Sequence, residues 1–487
     1  MMKKLHILGI AALALFTVSC SNWLDIKPSS QIEADVMFSD EEGFKNALTG
    51  LYVLMYNQNV YGKELTFDFM EELAQRYDAG LRYSNVPDAT RAQIYDYDED
   101  YKSSQTFTPS KGRLSSIWNQ MFKDIANINN LIKNLNERGQ ETITTPGLFE
   151  LMKGEALGLR AYHYLDLMRM WGPADLISNG SRGVVPYRTE VSWRQTAPMS
   201  ADSMTIMIEK DLLEAETLLK DDACEYGNLS DAPFFAYRQH RMNKWALKAL
   251  MARFYLYTNQ YDKAAVKAKA VIDSCGLRLV GDMSEDHALF DETLFALDYG
   301  KMHDNVEVYF DKTIEAASQT QKLISKTTVD RVYETATVGI NDIRARNNQG
   351  FLSDGTNMVS RKFLHDDDAT NYNNKVPLIR LAEMYLILAE TLSGTDGVAY
   401  YNSLRNLRGI SATYNVSSFT SRDELVAALQ KEYAKEFLGE GQYFYFLKRV
   451  RATTFDRCPV TMQDRHYEFI IPDDEKQYGY VPEENEQ

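Results

Sequence analysis

The chain has 487 residues and a formal net charge of −16, from 53 Lys and Arg against 69 Asp and Glu. This excess of acids repels a phosphate backbone, and no cluster of basic residues offsets it, which argues against nucleic acid as a partner. The four cysteines include no C-x-x-C pair, which excludes a disulfide scaffold and a structural zinc site, while Cys224, Cys275 and Cys458 leave one bridge or three free thiols open.

The first predicted element is a lipoprotein signal peptide over residues 1–19. Two lysines precede Leu5–Phe16, an apolar run too short for a permanent membrane helix, which needs ~20 residues. Small residues then lead to Cys20 as in a bacterial lipobox, although Thr17 stands where Leu is preferred. We therefore expect cleavage before Cys20 and lipidation of its thiol, which tethers the mature chain to a membrane. Ordinary secretory cleavage is the alternative.

Amphipathic helices dominate the first half of the mature chain. In each of them apolar residues recur every three or four positions, which is the period of a helix with one buried face. Ser39 or Asp40 provides the N-cap of the first helix, and Gly172-Pro173 stops the third one. The predicted helices are Ser39–Tyr56, Ser115–Leu135, Phe149–Trp171 and Ser200–Leu219.

Two long segments, residues 76–111 and 276–375, lack apolar periodicity and hold aromatic residues that no helix face requires. Long ordered loops in a compact domain often carry function. Tyrosine suits carbohydrate, because its ring stacks on the apolar face of a sugar while its hydroxyl bonds to the polar edge. Loop packing is the alternative for each tyrosine. The predicted ligand-binding residues are Tyr83, Tyr97, Tyr101, Tyr299 and Tyr309.

Helical periodicity returns in the second half of the chain. Lys244–Asp273 fits one tetratricopeptide-type helix pair, with small residues such as Ala264 and Ala268 where the two helices cross. No segment after the signal peptide approaches transmembrane length. Further helices are predicted from Pro377, over Ala399–Leu407 and over Asp423–Lys448, before an extended polar tail.

No motif of a known catalytic centre occurs in the sequence. It has no H-E-x-x-H, no P-loop and no dinucleotide fingerprint. Glu71-Glu72 or Asp98-Glu99-Asp100 could enter a glycosidase scheme, but with 69 acids such groups arise by chance. The run Asp366-Asp367-Asp368 lacks the glycine and glutamate of a calcium loop, and His163 on an apolar helix is interpreted as core. We expect no catalytic residue, no metal and no cofactor.

Glu383 and Glu390 stand two turns apart on a predicted helix, and Arg380 lies one turn before the first of them. They could act as an acid pair. Partnership with Arg405 or Arg408 on the next helix, which would tie two helices together, is the favoured interpretation.

Several short motifs combine along the mature chain. Cys20 is followed by Leu24-Asp25 and Pro28, and the later motifs are Leu159-Arg160-Ala161-Tyr162, Arg380-Leu381-Ala382-Glu383, Glu436-Phe437 and Gly439-Glu440-Gly441. With these residues the chain resembles the SusD/RagB family of Bacteroidetes surface lipoproteins along nearly its full length. Gln442 stands where that family usually has Arg, and Tyr445-Phe446 where an acid is common, which puts one ion pair between helices in doubt.

The resemblance implies an all-α fold of tetratricopeptide-like helix pairs that form a scaffold, with long irregular loops carrying the ligand face. It implies a single domain over residues 20–487, with interlocked parts of about 20–240 and 241–487. It also implies a lipid-anchored protein on the outside of the outer membrane. Such a protein captures glycans and delivers them without chemistry to a SusC-like TonB-dependent transporter. Capture of peptides, and a helical scaffold that binds only proteins, are the alternatives.

Overall fold

The computed structural model of the protein describes residues 35–78, 92–97, 110–224, 226, 233–310, 321–353, 356–364 and 372–480. The α-helices of at least four residues in the first half are α1 (Glu41–Met55), α2 (Phe69–Leu73), α3 (Ser110–Asn134), α4 (Leu148–Trp171), α5 (Leu176–Asn179) and α6 (Ala201–Leu218). Those of the second half are α7 (Lys244–Tyr257), α8 (Tyr261–Ser274), α9 (Met302–Phe310), α10 (Lys326–Tyr333), α11 (Leu381–Thr391), α12 (Gly394–Leu407), α13 (Arg422–Glu436), α14 (Gln442–Arg449) and α15 (Asp473–Tyr478). The strands are β1 (Gly183–Pro186), β2 (Pro198–Ser200), β3 (Thr293–Asp298), β4 (Ile324–Ser325), β5 (Phe351–Ser353), β6 (Asn357–Ser360) and β7 (Lys375–Arg380).

The predicted helices of the first half are confirmed to within a few residues. A carboxylate oxygen of Asp40 accepts a hydrogen bond from the backbone N–H of Gly43 at 2.8 Å, which caps α1. The hydroxyl of Ser200 caps α6 in the same way by accepting from Ser203 at 3.2 Å. These caps and apolar faces depend only on residues close together in the chain. They can therefore be predicted from the sequence without knowledge of the fold.

Helix α4 is buried along nearly its whole length and packs between α3 and α6. Its glycines permit this close approach. A Cβ atom on Gly154 would lie 2.6 Å from the Cγ atom of Leu219, and one on Gly158 would lie 2.7 Å from the Cγ atom of Met242. Small residues at these two points let the backbones of the neighbouring elements come together.

The tetratricopeptide-like pair is confirmed as α7 and α8. A side-chain oxygen of Asn243 caps α7 by accepting from two backbone N–H groups at 2.9 Å. Helix α8 buries Ala264, Ala268 and Val271 and also packs against α11, which in turn pairs with α12. The scaffold is therefore a row of stacked helix pairs, as expected for a helical-repeat body.

Three predictions for the C-terminal half are wrong in detail. The segment 276–375, predicted as irregular, contains helices α9 and α10. Pro377 to Arg380 belong to strand β7, which pairs with β3 in an antiparallel manner, and the helix begins only at Leu381. The helix predicted over Asp423–Lys448 is two helices, because Gly439 and Gly441 between them adopt positive φ angles of 83° and 70°. Apolar periodicity reports neither a distant strand partner nor a left-handed turn.

One contiguous hydrophobic core runs through the described chain from Phe38 to Phe469 and includes residues of both halves. The contacts between the halves are specific. The backbone N–H of Phe469 donates to the carbonyl oxygen of Met170 at 3.1 Å, and the indole N–H of Trp171 donates to that of Ile470 at 2.7 Å. Within the described ranges, none of the helices has the length and apolar character needed to cross a bilayer.

Candidate functional site

The predicted site residues lie in different environments, and some lie outside the described residues. Cys20, Tyr83 and Tyr101 lie outside the described residues. Tyr97 is 3% exposed, its hydroxyl donates to the carbonyl oxygen of His466 at 2.8 Å, and its ring packs edge-on against Phe469. The C-terminal segment therefore covers Tyr97 and makes it a core residue, which corrects its prediction as a ligand contact.

Tyr299 lies at the end of strand β3, where the sheet holds its backbone. Its N–H donates to the carbonyl oxygen of Asn374 at 3.1 Å. The ring stacks on Tyr56, just after α1, with centroids 3.8 Å apart and planes 17° apart. Tyr56 is buried while Tyr299 is half-buried, so one aromatic ring supports another at the surface.

Tyr309 lies on helix α9, shortly after Tyr299 in the chain. It is half-buried, and its ring lies 5.5 Å from that of Phe67. Asn305 is one turn earlier on the same face of α9, and its amide donates to the hydroxyl of Tyr56 at 3.4 Å. The ammonium of Lys63 interacts electrostatically with Tyr309. We call Tyr56, Lys63, Tyr299, Asn305 and Tyr309 the tyrosine face.

A buried ion network holds the base of the tyrosine face. The ammonium of Lys322 donates to Glu72 at 2.7 Å and to Asp68, and the backbone N–H of Lys322 donates to the carbonyl oxygen of Tyr309 at 2.8 Å. Arg113 on α3 donates to Glu72 at 2.6 Å and to Glu64 at 2.8 Å. Because α2, α3 and the end of α9 are joined in this way, the face is preorganised rather than assembled by a ligand.

The described edges of the two irregular segments meet beside this network. The backbone N–H of Asp78 donates to the carbonyl oxygen of Leu323 at 2.9 Å, and the carboxylate of Asp78 accepts from the backbone N–H of Ser325 at 2.6 Å. Segments more than two hundred positions apart in the chain are thus brought to one side of the molecule.

The hydroxyl groups of Tyr56 and Tyr309 are protonated at neutral pH. Burial raises the pKa of Tyr56 to about 12 and also raises the pKa of Tyr309, because burial disfavours the phenolate. The hydroxyl of Tyr56 already donates to the sulfur of Met302 at 2.8 Å, whereas the hydroxyl of Tyr309 can donate as well as accept hydrogen bonds, as the hydroxyl edges of a sugar require.

The acid pairs considered from the sequence are engaged elsewhere. Glu72 binds Lys322 and Arg113, and Glu71 accepts from the backbone N–H of Gly441 at 2.9 Å. Asp98-Glu99-Asp100 and Asp366-Asp367-Asp368 lie outside the described residues. In the part of the chain that the structure describes, no group of three or more His, Cys, Asp or Glu could hold a metal ion. Cys224, Cys275 and Cys458 are free thiols, which decides between the two alternatives for them.

Glu383 and Glu390 are structural, as favoured, but their predicted partners are wrong. Glu383 accepts two hydrogen bonds from the guanidinium of Arg253 on α7, each at 2.7 Å. Glu390 accepts two from the guanidinium of Arg449 on α14, at 2.6 Å and 2.7 Å. The order of helices in the sequence does not show which helix becomes the neighbour in space.

Arg380 and Arg408 join a different buried network. Arg380 donates to Glu292 at 2.7 Å and to Glu436 at 2.6 Å, and Arg408 donates to the same two carboxylates at 2.7 Å. Glu440 also accepts from Arg380 at 2.9 Å. The charged motifs of the C-terminal half are therefore used to connect β3, β7, α12 and α13.

The residues that depart from the SusD/RagB pattern contact one another through Arg169 on α4. Its guanidinium donates to the side-chain oxygen of Gln442 at 2.9 Å and lies 3.8 Å from the centre of the Tyr445 ring. An amide and an aromatic ring thus take the place of the ion pair that the sequence left in doubt.

Sequence reasoning missed Tyr56, Lys63 and Asn305 of the tyrosine face. Tyr56 is included in the first predicted helix, where it looks like another core aromatic. Asn305 and Lys63 acquire a role only because α9 packs beside residues 56–68. A helix prediction over Met302–Phe310 would have put Asn305 and Tyr309 on one face and offered a signal for that pair.

Two family models match adjacent parts of the chain. The first, described as "Starch-binding associating with outer membrane", matches residues 22–256, and the second, described as "SusD family", matches residues 253–485. Among curated proteins, a SusD-like protein of Formosa agariphila is 20% identical over 311 residues, covering 62% of this chain. The chain spans about half the length of the curated relatives it matches, 53% in this case.

Solved structures resemble the chain over most of its length. A SusD superfamily protein from Bacteroides thetaiotaomicron has 20% sequence identity and a TM-score of 0.66, covering 90% of this chain and 98% of that one. A SusD-like carbohydrate binding protein from Bacteroides vulgatus has 16% identity and a TM-score of 0.63, covering 92% of this chain and all of that one. At these identities the likeness establishes the fold.

Proposed function

Because this chain belongs to the SusD family, we propose that it captures glycans at the cell surface and delivers them to a SusC-like TonB-dependent transporter in the outer membrane. The observation that carries the proposal is the tyrosine face, in which Tyr299 and Tyr309 stand half-exposed on a preorganised base. Such a surface offers stacking and hydrogen bonds at once, which is what an oligosaccharide needs.

A neutral glycan fits the charges better than an acidic one. The net charge of the chain is −16. The one ammonium of the tyrosine face, on Lys63, lies 2.9 Å from Glu64 and 3.4 Å from Asp68, so it is already neutralised by carboxylates. An acidic polysaccharide would gain little from Lys63 and would be repelled by the molecule as a whole.

Release matters as much as capture in this role. Contacts made on half-exposed rings leave much of a ligand in water, so the bound state is stabilised only moderately and dissociates readily. We propose that the protein binds without cleaving its ligand. The engagement of Glu71, Glu72, Glu383 and Glu390 in other contacts supports this, since none of them forms a solvent-facing acid pair.

The first test measures binding of neutral gluco-, xylo-, manno- and galacto-oligosaccharides by calorimetry. Tyr299→Ala should weaken the binding of the recognised oligosaccharide by about tenfold, equivalent to roughly 1.4 kcal/mol, because one stacking surface is lost. Tyr309→Phe should cost less, since only a hydroxyl is removed. Tyr414→Ala is the matched control, because Tyr414 is an exposed tyrosine outside the tyrosine face.

Other outcomes of that titration separate the alternatives. Binding of defined peptides in place of oligosaccharides would point to the peptide-capturing alternative. If Tyr299→Ala leaves uptake of every small ligand unchanged, the protein-only scaffold is favoured. Turnover of a bound glycan that survives removal of trace hydrolases would contradict the proposal of binding without chemistry.

The membrane tether is a separate proposal that rests on Cys20. A diacylglycerol-modified N-terminus would anchor the protein on the outside of the outer membrane. Cys20→Ser should yield a protein released from membranes with unchanged affinity for its ligand, measured by cell fractionation and calorimetry. Loss of ligand binding together with the lipid would contradict the separation of anchor and binding module.

A further inference from the structure

A pocket separate from the tyrosine face lies between helix α3 and the segment that follows strand β1. Its volume is about 270 Å³. Trp118 and Phe122 of α3 line it with rings 4.8 Å apart, and Arg188, Glu190 and Glu475 line it with charged groups. The pocket therefore combines an aromatic wall with polar groups in a volume that suits a sugar unit rather than a polymer segment.

The wall opposite α3 is firmly built. The hydroxyl of Tyr164 accepts from the backbone N–H of Arg188 at 2.6 Å and donates to its carbonyl oxygen at 2.9 Å. The buried amide of Asn129 also donates to that carbonyl oxygen at 2.9 Å, and Tyr187 stacks on Tyr164 with ring centroids 3.8 Å apart. These contacts fix the backbone from which the Arg188 side chain enters the pocket lining.

The charged side chains that line the pocket make few hydrogen bonds or ion pairs with the described residues. Within the part of the chain that the structure describes, the guanidinium of Arg188 makes one hydrogen bond, to the carbonyl oxygen of Ser192 at 3.3 Å. Among the described residues, no ion pair involves Arg188, Glu190 or Glu475. This contrasts with the tyrosine face, where Lys63 is held by two carboxylates. The pocket thus presents hydrogen-bonding groups of both kinds that are available to a ligand.

An exposed tryptophan extends this region. Trp193 follows the pocket lining directly in the chain and is 92% exposed. The same segment is tied to the C-terminal helix α15, because the amide of Gln195 donates to the carbonyl oxygen of Tyr478 at 2.9 Å, and Glu475 of α15 lines the pocket. A large aromatic ring kept in water beside a polar pocket is typical of an interaction surface.

We infer that this pocket is a second carbohydrate site that takes one unit of a neutral sugar, with Trp118 and Phe122 as the apolar wall and Arg188, Glu190 and Glu475 as partners of the hydroxyls. Trp193 provides an external surface on which the next unit can stack. A protein partner fits less well, because burying these charges without counter-ions would be costly. A uronic acid would face two carboxylates against one guanidinium. The ligand class follows from the proposed function, but the site and its residues do not.

The test uses the purified full chain in detergent and neutral disaccharides of glucose, galactose, mannose and xylose. Trp118 and Trp171 are buried and Trp245 is half-buried, whereas Trp193 is 92% exposed, so Trp193 contributes strongly to quenching of the protein fluorescence by acrylamide. Trp193→Phe defines that contribution. The recognised disaccharide should protect Trp193 from acrylamide, and galacturonic acid dimers should not.

Substitutions then show whether the disaccharide binds at the pocket or at the tyrosine face. Arg188→Met and Glu475→Gln, which lie on separate elements, should each weaken disaccharide binding at this site by about tenfold, while Tyr299→Ala should leave it unchanged. Melting temperatures equal to that of the parent protein show that the half-exposed side chains were removed without unfolding. Sugar binding that is lost in Tyr299→Ala but unaffected in both pocket variants overturns the second site and leaves the proposed function standing.

Two further results are equally decisive. Disaccharide binding lost in the pocket variants but retained in Tyr299→Ala supports the second site even if the tyrosine face binds nothing. If the pocket variants keep full disaccharide affinity and instead lose co-purification with the transporter barrel, the region is a protein interface and the inference is overturned.

Discussion

At the scale of single residues, Glu71 shows how burial changes an acid. It is 1% exposed on α2, and one carboxylate oxygen accepts from the backbone N–H of Gly441 at 2.9 Å. The other oxygen has no hydrogen-bond partner among the described residues and lies 3.8 Å from Arg76, which instead donates to the carbonyl oxygen of Ala434 at 2.6 Å. Loss of solvation outweighs these partners and raises the pKa of Glu71 from 4.5 to about 7.

This pKa predicts a pH dependence of stability. Between pH 4.5 and about 7 the folded protein holds a proton on Glu71 that the unfolded chain has lost, so the contribution of Glu71 to the free energy of unfolding falls as pH rises. Glu71→Gln keeps an acceptor for Gly441 and removes the titration. We expect the stability of the variant relative to the parent protein to rise by on the order of 3 kcal/mol from the lower to the upper end of this window.

The measurement is denaturant unfolding at several pH values, compared as a difference between variant and parent so that other titrating groups cancel. Glu141→Gln is the control, because Glu141 is an exposed carboxylate. A constant difference between Glu71→Gln and the parent protein over this range would contradict the raised pKa.

At the scale of elements, the contact of α4 with the end of α6 depends on a missing side chain. A Cβ atom on Gly154 would lie 2.6 Å from the Cγ atom of Leu219 and 3.2 Å from the Cβ atom of Leu218. Both neighbours are packed side chains, so the added atom can be accommodated only by displacing an element.

Gly154→Ala should therefore destabilise the protein by about 1 to 3 kcal/mol, less the gain of up to ~1 kcal/mol that alanine brings to a helix interior. Gly50→Ala in α1 is the matched control, because a Cβ atom there meets nothing within 4 Å. That variant should be neutral or more stable. Equal melting temperatures for the two variants would show that close packing at Gly154 does not limit stability.

At the scale of the whole molecule, the two halves share one core. The two family models meet at residues 253–256, which lie inside helix α7 (Lys244–Tyr257), so their junction is not a structural boundary. Lys322 of the second half donates to the buried carboxylate of Glu72 in the first half at 2.7 Å, and Arg169 of α4 donates to Gln442 at 2.9 Å. Neither half can open without exposing charges that the other half neutralises.

We therefore predict that residues 20–487 form a single domain, which unfolds in one cooperative transition. The calorimetric enthalpy should equal the van't Hoff enthalpy, although chains of this length often unfold in steps. Glu383→Gln should lower the one midpoint without splitting the transition, because it leaves Arg253 buried without its carboxylate. Two transitions, only one of which responds to Glu383→Gln, would contradict the shared domain.

The sequence by itself determined the long helices of the first half, the tetratricopeptide-like pair and the resemblance to the SusD/RagB family. Helix caps, apolar periods and short motifs depend on residues close together in the chain, so α1 and α6 could be predicted almost to the residue. Strand β7 could not, because it forms only by pairing with β3, about eighty residues earlier.

Only the tertiary structure decided which aromatic residues form a surface. Tyr97 and Tyr299 have similar polar surroundings in the sequence. Phe469 and His466 cover Tyr97, whereas the ring of Tyr56 stacks on one face of Tyr299. The pocket near Arg188 could not be predicted from the sequence either, because its lining residues come from α3, the segment after β1 and α15. Exposure is set by what packs on a residue, and packing partners far apart in the chain leave no local pattern.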